Sequence, residues 1–246
     1  NNLFVARITS SMALDTTYAT TGIANLALGA NMTSVNSAAL HPDRRVYVVG
    51  QQATPTPSMA RVFGDEYVVE ETGVTFKATP GTPDLTLDPN AGTPDAGLVI
   101  SGLVGYTAQA VYANADGSSF IAFGNGTNVI LGKYDADNVA MSSTFGIGSG
   151  LTSPVAMATV NNLIVSGSNI IVVGTEAGAQ SLRRYSSSGT TAIPFSSTTA
   201  MSVGTQVAQQ KSGRYLVTGK FGSLGIVLAY QNDGLATDTT FGPASL

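Results

Sequence analysis

The chain has 246 residues, 11 basic and 15 acidic side chains, one histidine, no cysteine and no tryptophan. Charged residues make up 11% of it, against about 25% in an ordinary soluble domain, and 43% are hydrophobic. That balance excludes intrinsic disorder, a basic face for a phosphate backbone, a thiolate nucleophile and cysteine-built metal sites. Nucleic acid is therefore not an expected partner, and no apolar run reaches the roughly 18 residues of a membrane helix. Thr, Gly and Ser number 29, 28 and 24, with only four Lys, a composition resembling exported surface proteins. The expected location is extracellular or cell-surface.

Helical periodicity is almost absent, and short β-branched runs bounded by Gly, Asn, Asp and Ser take its place. The first strand is Phe4-Val5-Ala6-Arg7-Ile8, followed by a Thr-rich cluster, Leu14-Asp15-Thr16-Thr17-Tyr18. His41-Pro42-Asp43 reads as a turn into Val46-Tyr47-Val48-Val49-Gly50, an apolar run closed by Gly. Continuous apolarity of that kind predicts a strand covered on both faces. Met59-Ala60-Arg61-Val62-Phe63 follows, then an acidic patch, Asp65-Glu66 with Glu70-Glu71. Residues 77–96 hold four of the ten prolines, which cannot donate in a central ladder, so a loop insertion is expected there.

The pattern then returns. Asn114-Ala115-Asp116-Gly117 leads to Phe120–Gly124, then Ile130-Leu131-Gly132-Lys133-Tyr134, then Ser142-Ser143-Thr144-Phe145-Gly146. Ile170–Gly174 and Leu182-Arg183-Arg184-Tyr185 form another copy. Lys211-Ser212-Gly213 leads to Tyr215–Gly219, Val227–Tyr230 and Thr237-Asp238-Thr239-Thr240-Phe241-Gly242. From Arg7 through Arg61, Lys133 and Arg184 to Ala229, successive spacings are 54, 72, 51 and 45 residues. A period near 50 with four short strands predicts propeller blades. The fold expected is all-β, a propeller or propeller-like array of about five four-stranded repeats in one domain over residues 1–246. An outer-membrane barrel would need longer alternating strands and aromatic girdles.

The order Val-x-Gly, a basic residue before Tyr, Asp-Gly, then Leu-Asp-Thr-Thr-Phe-Gly resembles the bacterial delta-60 repeat. Phe4–Tyr18 and Leu216–Gly242 carry it most clearly, and Phe120–Gly146 carries it well. The copies at Val46 and Ile170 keep two strands and lose the Thr-Phe-Gly cluster. The resemblance spans nearly the whole chain except 77–96. It implies a propeller-like array in large exported or surface-associated proteins and transfers no catalytic motif.

Few residues suggest chemistry. His41 reads as a turn residue, and any Ser-His-Asp triad would have to use it, without a Gly-x-Ser-x-Gly elbow. Asp135 and Asp137 alternate as calcium ligands do, but the loop is incomplete and no Glu follows at the right distance. No cofactor is expected. Arg7, Arg61, Lys133 and Arg184 could ring a channel and hold an anion. Each could instead pair within its own repeat, Arg7 with Asp15 for example, and Ala229 in the fifth position favours the second arrangement. Glu70 and Glu71 would suit glycoside hydrolysis, yet no tryptophan platform or sialidase-type box accompanies them.

The function expected is a non-catalytic surface scaffold or binding module. The alternatives are a structural subunit of an extracellular assembly and a propeller-type polysaccharide lyase or hydrolase. The insertion is the one departure from the repeat, and loops carry partner contacts. That makes Asp84, Leu85, Leu87, Asp88 and Asp95 the candidates for binding a protein partner. The chain has five basic-type strands and four Val-x-Gly strands, so the edge at residues 1–8 is expected to be covered by another copy or by upstream sequence.

Overall fold

The structure, a computed structural model, describes residues 2–19, 21–27, 32–40, 45–52, 56–63, 67–71, 74–78, 97–99, 103–135, 141–190, 192–194, 202–231 and 236–241. Every strand sheet among them is small and antiparallel. The chain divides into two compact units, one built mainly on Asn1–Ser118, the other on Ser119–Asp135 and Ala140–Leu246.

In the first unit, β1 (Asn2–Ala6) pairs with β2 (Ile23–Ala27) as a two-stranded sheet. A four-stranded sheet follows, with β3 (Ser34–Leu40), β4 (Arg45–Gln51), β5 (Pro57–Phe63) and β8 (Gly97–Val99) in that spatial order. Between β5 and β8 the chain leaves the sheet. There β6 (Tyr67–Glu71) and β7 (Val74–Ala78) pair as a separate hairpin. The departure from the repeat thus starts before residue 77. Glu70 and Glu71 lie on β6 opposite Thr75 and Val74. β9 (Thr107–Ala113) ends the unit, followed by a tight turn in which Asn114 N–H donates to Ser118 O and Gly117 N–H to Asn114 O.

In the second unit, β10 (Ser119–Gly124) pairs with β11 (Asn128–Tyr134), and β11 with β12 (Val155–Ala156). β13 (Thr159–Ser166), β14 (Asn169–Glu176), β15 (Ala179–Ser186) and β16 (Ala192–Pro194) form a four-stranded meander. β17 (Val203–Gln209), β18 (Tyr215–Phe221) and β19 (Leu224–Tyr230) form a three-stranded one.

The middle strands are the core. Tyr47, Val48 and Val49, Phe120–Phe123 and Ile170–Val173 are all buried, which accounts for their unbroken apolarity. β18 differs: Tyr215 and Val217 are buried while Thr218 is exposed. The faces meet in one repeated way. Ile171, Val173 and Leu182, with Ile164, pack on Val207, Tyr215, Val217 and Tyr230, with Ile226 and Leu228. In the first unit, Val5 packs with Met32, Val48, Ala60 and Val46.

Gly124 closes β10, as the apolar run predicts, but the glycines of the other three runs do not close their strands. Gly50, Gly174 and Gly219 sit within β4, β14 and β18, paired with Val35, Val160 and Gly204. Immediately after each partner the register slips by one residue, leaving Asn36, Asn161 and Thr205 as the extra residue of a β-bulge. The bulge pushes backbone against the opposite strand. A Cβ on Gly50 would stand 1.8 Å from Ser34 O, and one on Gly174 would stand 1.8 Å from Thr159 O. The glycine is required by close approach, as interior strand glycines often are.

Candidate functional site

The Thr-rich clusters are clasps that follow β1, β11 and β19, the strands at the basic position of the repeat. In the first, Asp15 N–H donates to Arg7 O at 2.9 Å, anchoring the cluster to the strand that carries the arginine. Arg7 Nε then donates to Asp15 Oδ2 at 2.8 Å and its Nη2 to Thr17 Oγ1 at 2.9 Å. Thr17 donates twice to Asp15 Oδ1, from its hydroxyl at 2.6 Å and its backbone N–H at 3.0 Å, an Asx turn. The guanidinium lies 5.2 Å from the centre of the buried Tyr18 ring.

The last clasp repeats this with a different source of charge. Asp238 N–H donates to Ala229 O at 2.8 Å, and Thr240 donates to Asp238 Oδ1 from its hydroxyl at 2.6 Å and its N–H at 2.9 Å. The third strand carries Ala229 here, and Arg214 takes the missing arginine's place. Its Nη2 lies 2.5 Å from Asp238 Oδ2, with the guanidinium 5.7 Å from the Phe241 ring. A middle clasp keeps the shape without the carboxylate: Ser142 N–H donates to Lys133 O at 2.9 Å, and the Ser142 and Thr144 hydroxyls are 3.3 Å apart. Lys133 Nζ lies 5.7 Å from the Phe120 ring, which tilts against Phe145.

The electrostatics follow from these contacts. Two hydrogen bonds from Thr17, first the hydroxyl and then the N–H, hold the Asp15 carboxyl below its usual range, with Arg7 adding to them. Thr240 does the same for Asp238, joined by Arg214. Burial pushes the Tyr134 and Tyr185 hydroxyls up, with Arg183 opposing at Tyr185. Arg183, neighbour of the expected Arg184, is the buried cation of its strand, paired with Glu176 and donating to Ala156 O at 2.9 Å.

The expected pairing of Arg7 with Asp15 is present, and Lys133 meets an aromatic ring. Asp135 is exposed at the end of β11. Asp137, His41, Asp84, Leu85, Leu87, Asp88 and Asp95 lie outside the described residues, as do the side chains of Arg61, Glu70 and Glu71. Among the described residues no three His, Asp or Glu side chains gather as a metal site. Among the described residues, concavities in the second unit include two beside these clasps. One of about 190 Å³ is lined by Gly146, Ile147, Thr152, Val155, Tyr185 and Thr190 among others. The other, about 250 Å³, is lined by Ser212, Arg214, Gln231 and Asp238. In the second, the Asp238 carboxylate is engaged by Arg214 and Thr240.

Two features escape a reading by residue type. Arg214 was legible only as the basic residue that opens the one repeat whose third strand lacks one. The bulge asparagines stand at near-fixed distances before the glycines, 14 residues before Gly50 and 13 before Gly174. Asn36 Nδ2 donates to Ala108 O at 2.8 Å, and Asn161 Nδ2 to Gly204 O at 2.7 Å, each reaching the first strand of the next repeat.

No protein-family model matches the chain. No curated protein matches it either. Among solved structures, a protein of unknown function from Bacteroides caccae is similar over 96% of this chain and 75% of its own, at 11% identity and a TM-score of 0.52. A protein from Lactobacillus plantarum is similar over 96% of this chain at 16% identity and a TM-score of 0.49. A chain of the nidogen/laminin complex is similar over 79% at 8% identity and a TM-score of 0.44. This chain spans 64% of the L. plantarum protein and 60% of the nidogen/laminin chain. At these identities the likeness concerns the fold, which is all-β and propeller-like.

Proposed function

We propose that the chain is a non-catalytic scaffold and binding module made of about five delta-60-like repeats, exposed at the cell surface or secreted. The observation that carries this reading is the use made of its carboxylates and cations. Asp15 and Asp238, the motif aspartates, are both engaged by an arginine and a threonine, so they brace strands instead of facing a substrate. The scarcity of Lys and abundance of Thr, Ser and Gly favour the location. Catalysis on such a frame would need a free acid–base pair.

The test is a screen of glycan, ester and peptide substrates with the purified chain. The expected result is no turnover. Turnover abolished by His41→Ala, or by replacing Glu70 and Glu71 with Gln, would overturn the proposal.

A further inference from the structure

The turn between β10 and β11 carries the one asparagine of the chain that is followed by glycine, Asn125-Gly126. Asn125, Gly126 and Thr127 are exposed, whereas Phe123 and Val129 on either side are buried. Asn125 N–H donates to Asn128 O at 3.1 Å and closes the turn. The Asn125 side chain is also held, because Thr127 N–H donates to its Oδ1 at 3.0 Å and Asn128 N–H at 2.7 Å. Gly126 stands apart from this network. Its N–H makes no hydrogen bond among the described residues, its φ is +86°, and nothing lies within 4 Å of the position a Cβ would take. The corresponding turns of the other two sheets in the second unit hold Ala177-Gly178 and Gly222-Ser223, which carry no side-chain amide.

These groups are the parts of an intramolecular acyl transfer. Attack of the Gly126 nitrogen on Asn125 Cγ closes a five-membered ring, so no second molecule has to be brought up for the step. Residue 126 has no Cβ to crowd the approach. As the nitrogen adds, negative charge gathers on Oδ1. Two backbone N–H groups already stand at that oxygen, within the roughly 2.7–3.1 Å range that serves an oxyanion.

We propose that Asn125 is a site of spontaneous deamidation in the folded chain, with Gly126 N as the nucleophile and the Thr127 and Asn128 N–H groups as its oxyanion hole. The Gly126 nitrogen gives its proton to solvent base and bonds to Cγ. The Cγ–Nδ2 bond then breaks, and the departing nitrogen takes up a proton and leaves as ammonia. A succinimide joins residues 125 and 126. Water opens it at either carbonyl: attack at Cγ returns the ordinary main chain with an aspartate, and attack at the Asn125 main-chain carbonyl leaves the chain running through Cγ as an isoaspartate. One water is consumed and one ammonia released, with no oxidant or reductant. Either product adds one negative charge to a chain of net charge −4. The aspartate carboxylate keeps both N–H bonds of Oδ1. The isoaspartate puts one extra backbone carbon between strands whose register pairs Gly124 with Val129 and Phe123 with Ile130. The inference is independent of what the chain binds.

The test is to age the purified full chain in mildly alkaline buffer, below its thermal transition, beside an end-capped peptide of residues 124–128. Peptide mapping by mass spectrometry and ion exchange follow both. Asn125 should be the first asparagine of the chain to convert, on the time scale of the peptide, with isoaspartate and aspartate both appearing at that position. The rate should rise with pH, because the attacking group is the deprotonated amide. Asn125→Asp should keep the wild-type thermal transition and show no early acidic shift on ageing. The isoaspartyl fraction of the aged wild type, once separated, should melt below that variant. A folded chain whose Asn125 stays intact after the peptide has converted would overturn the proposal, since the turn would then protect the amide. So would another asparagine converting first, or aspartate without isoaspartate, the mark of direct hydrolysis. An acidic shift of unchanged rate in Asn125→Asp would overturn it as well.

Discussion

Gly174 shows how one missing methyl group decides a strand. Its Cβ would stand 1.8 Å from Thr159 O, a backbone atom that cannot rotate away. Gly174→Ala must open the bulge, with a cost of about 2–3 kcal/mol, typical of overpacking. A fall of about 5–10 °C in the thermal transition is expected for a chain of this size. Gly225→Ala is the control. Nothing lies within 4 Å of its Cβ position and its φ is not positive, so the transition should hold or rise slightly. A second pair of variants separates used from unused hydroxyls. Tyr230 Oη donates to Gln180 Oε1 at 2.8 Å in the core, while Tyr185 Oη is buried without a partner among the described residues. Tyr230→Phe should cost about 1–3 kcal/mol, since it strands the Gln180 carbonyl. Tyr185→Phe should be neutral or stabilising, because it removes a buried hydroxyl that makes no bond. Denaturant titration of the two variants checks the difference.

At the scale of the element, the clasp is what holds the strand at the basic position to the chain that follows it. The Asp15 and Asp238 carboxyls are held below their usual range, the ordinary aspartate value being 3.8. A depressed folded value means that the unfolded chain binds the proton more readily. The clasps therefore add stability above about pH 4 and lose it as pH falls through the folded values. Asp238→Asn keeps an oxygen for Thr240 and removes the charge facing Arg214. The variant should melt below wild type at neutral pH, and the gap should close on acidification, as thermal scans from pH 7 downwards would record. The β6–β7 hairpin is the opposite kind of element. β5 pairs directly with β8, Ser58 with Val99 and Ala60 with Gly97, so the sheet is complete without the intervening residues 64–96. Replacing them with a short turn should shift the thermal transition by only a few degrees, because closing a shorter loop carries a slightly smaller entropy cost. Global unfolding of that variant would place the hairpin in the core.

At the scale of the whole molecule, one contact between sheets is used again, with Leu182 and Leu228 in one core cluster and Val5 and Ala60 in the other. The strands themselves were legible from residue order. Val46–Val49, Phe120–Phe123 and Ile170–Val173 are unbroken apolar runs because sheets cover both faces, and the clusters at Asp15 and Asp238 recur because each anchors a strand end. The glycines were legible as markers but not as bulge partners. Their role depends on a bulge in the preceding strand, more than a dozen residues away, and on which backbone atom approaches. Arg214 was hidden for the same reason. It replaces the basic residue missing at Ala229 from a different strand end, and only folding brings it to Asp238. What the sequence determined by itself was the period and the apolar columns, because these are local and repeat along the chain. What only the tertiary structure decided was which charge meets which carboxylate and which backbone atom crowds each strand glycine, because both depend on residues distant in sequence meeting in space.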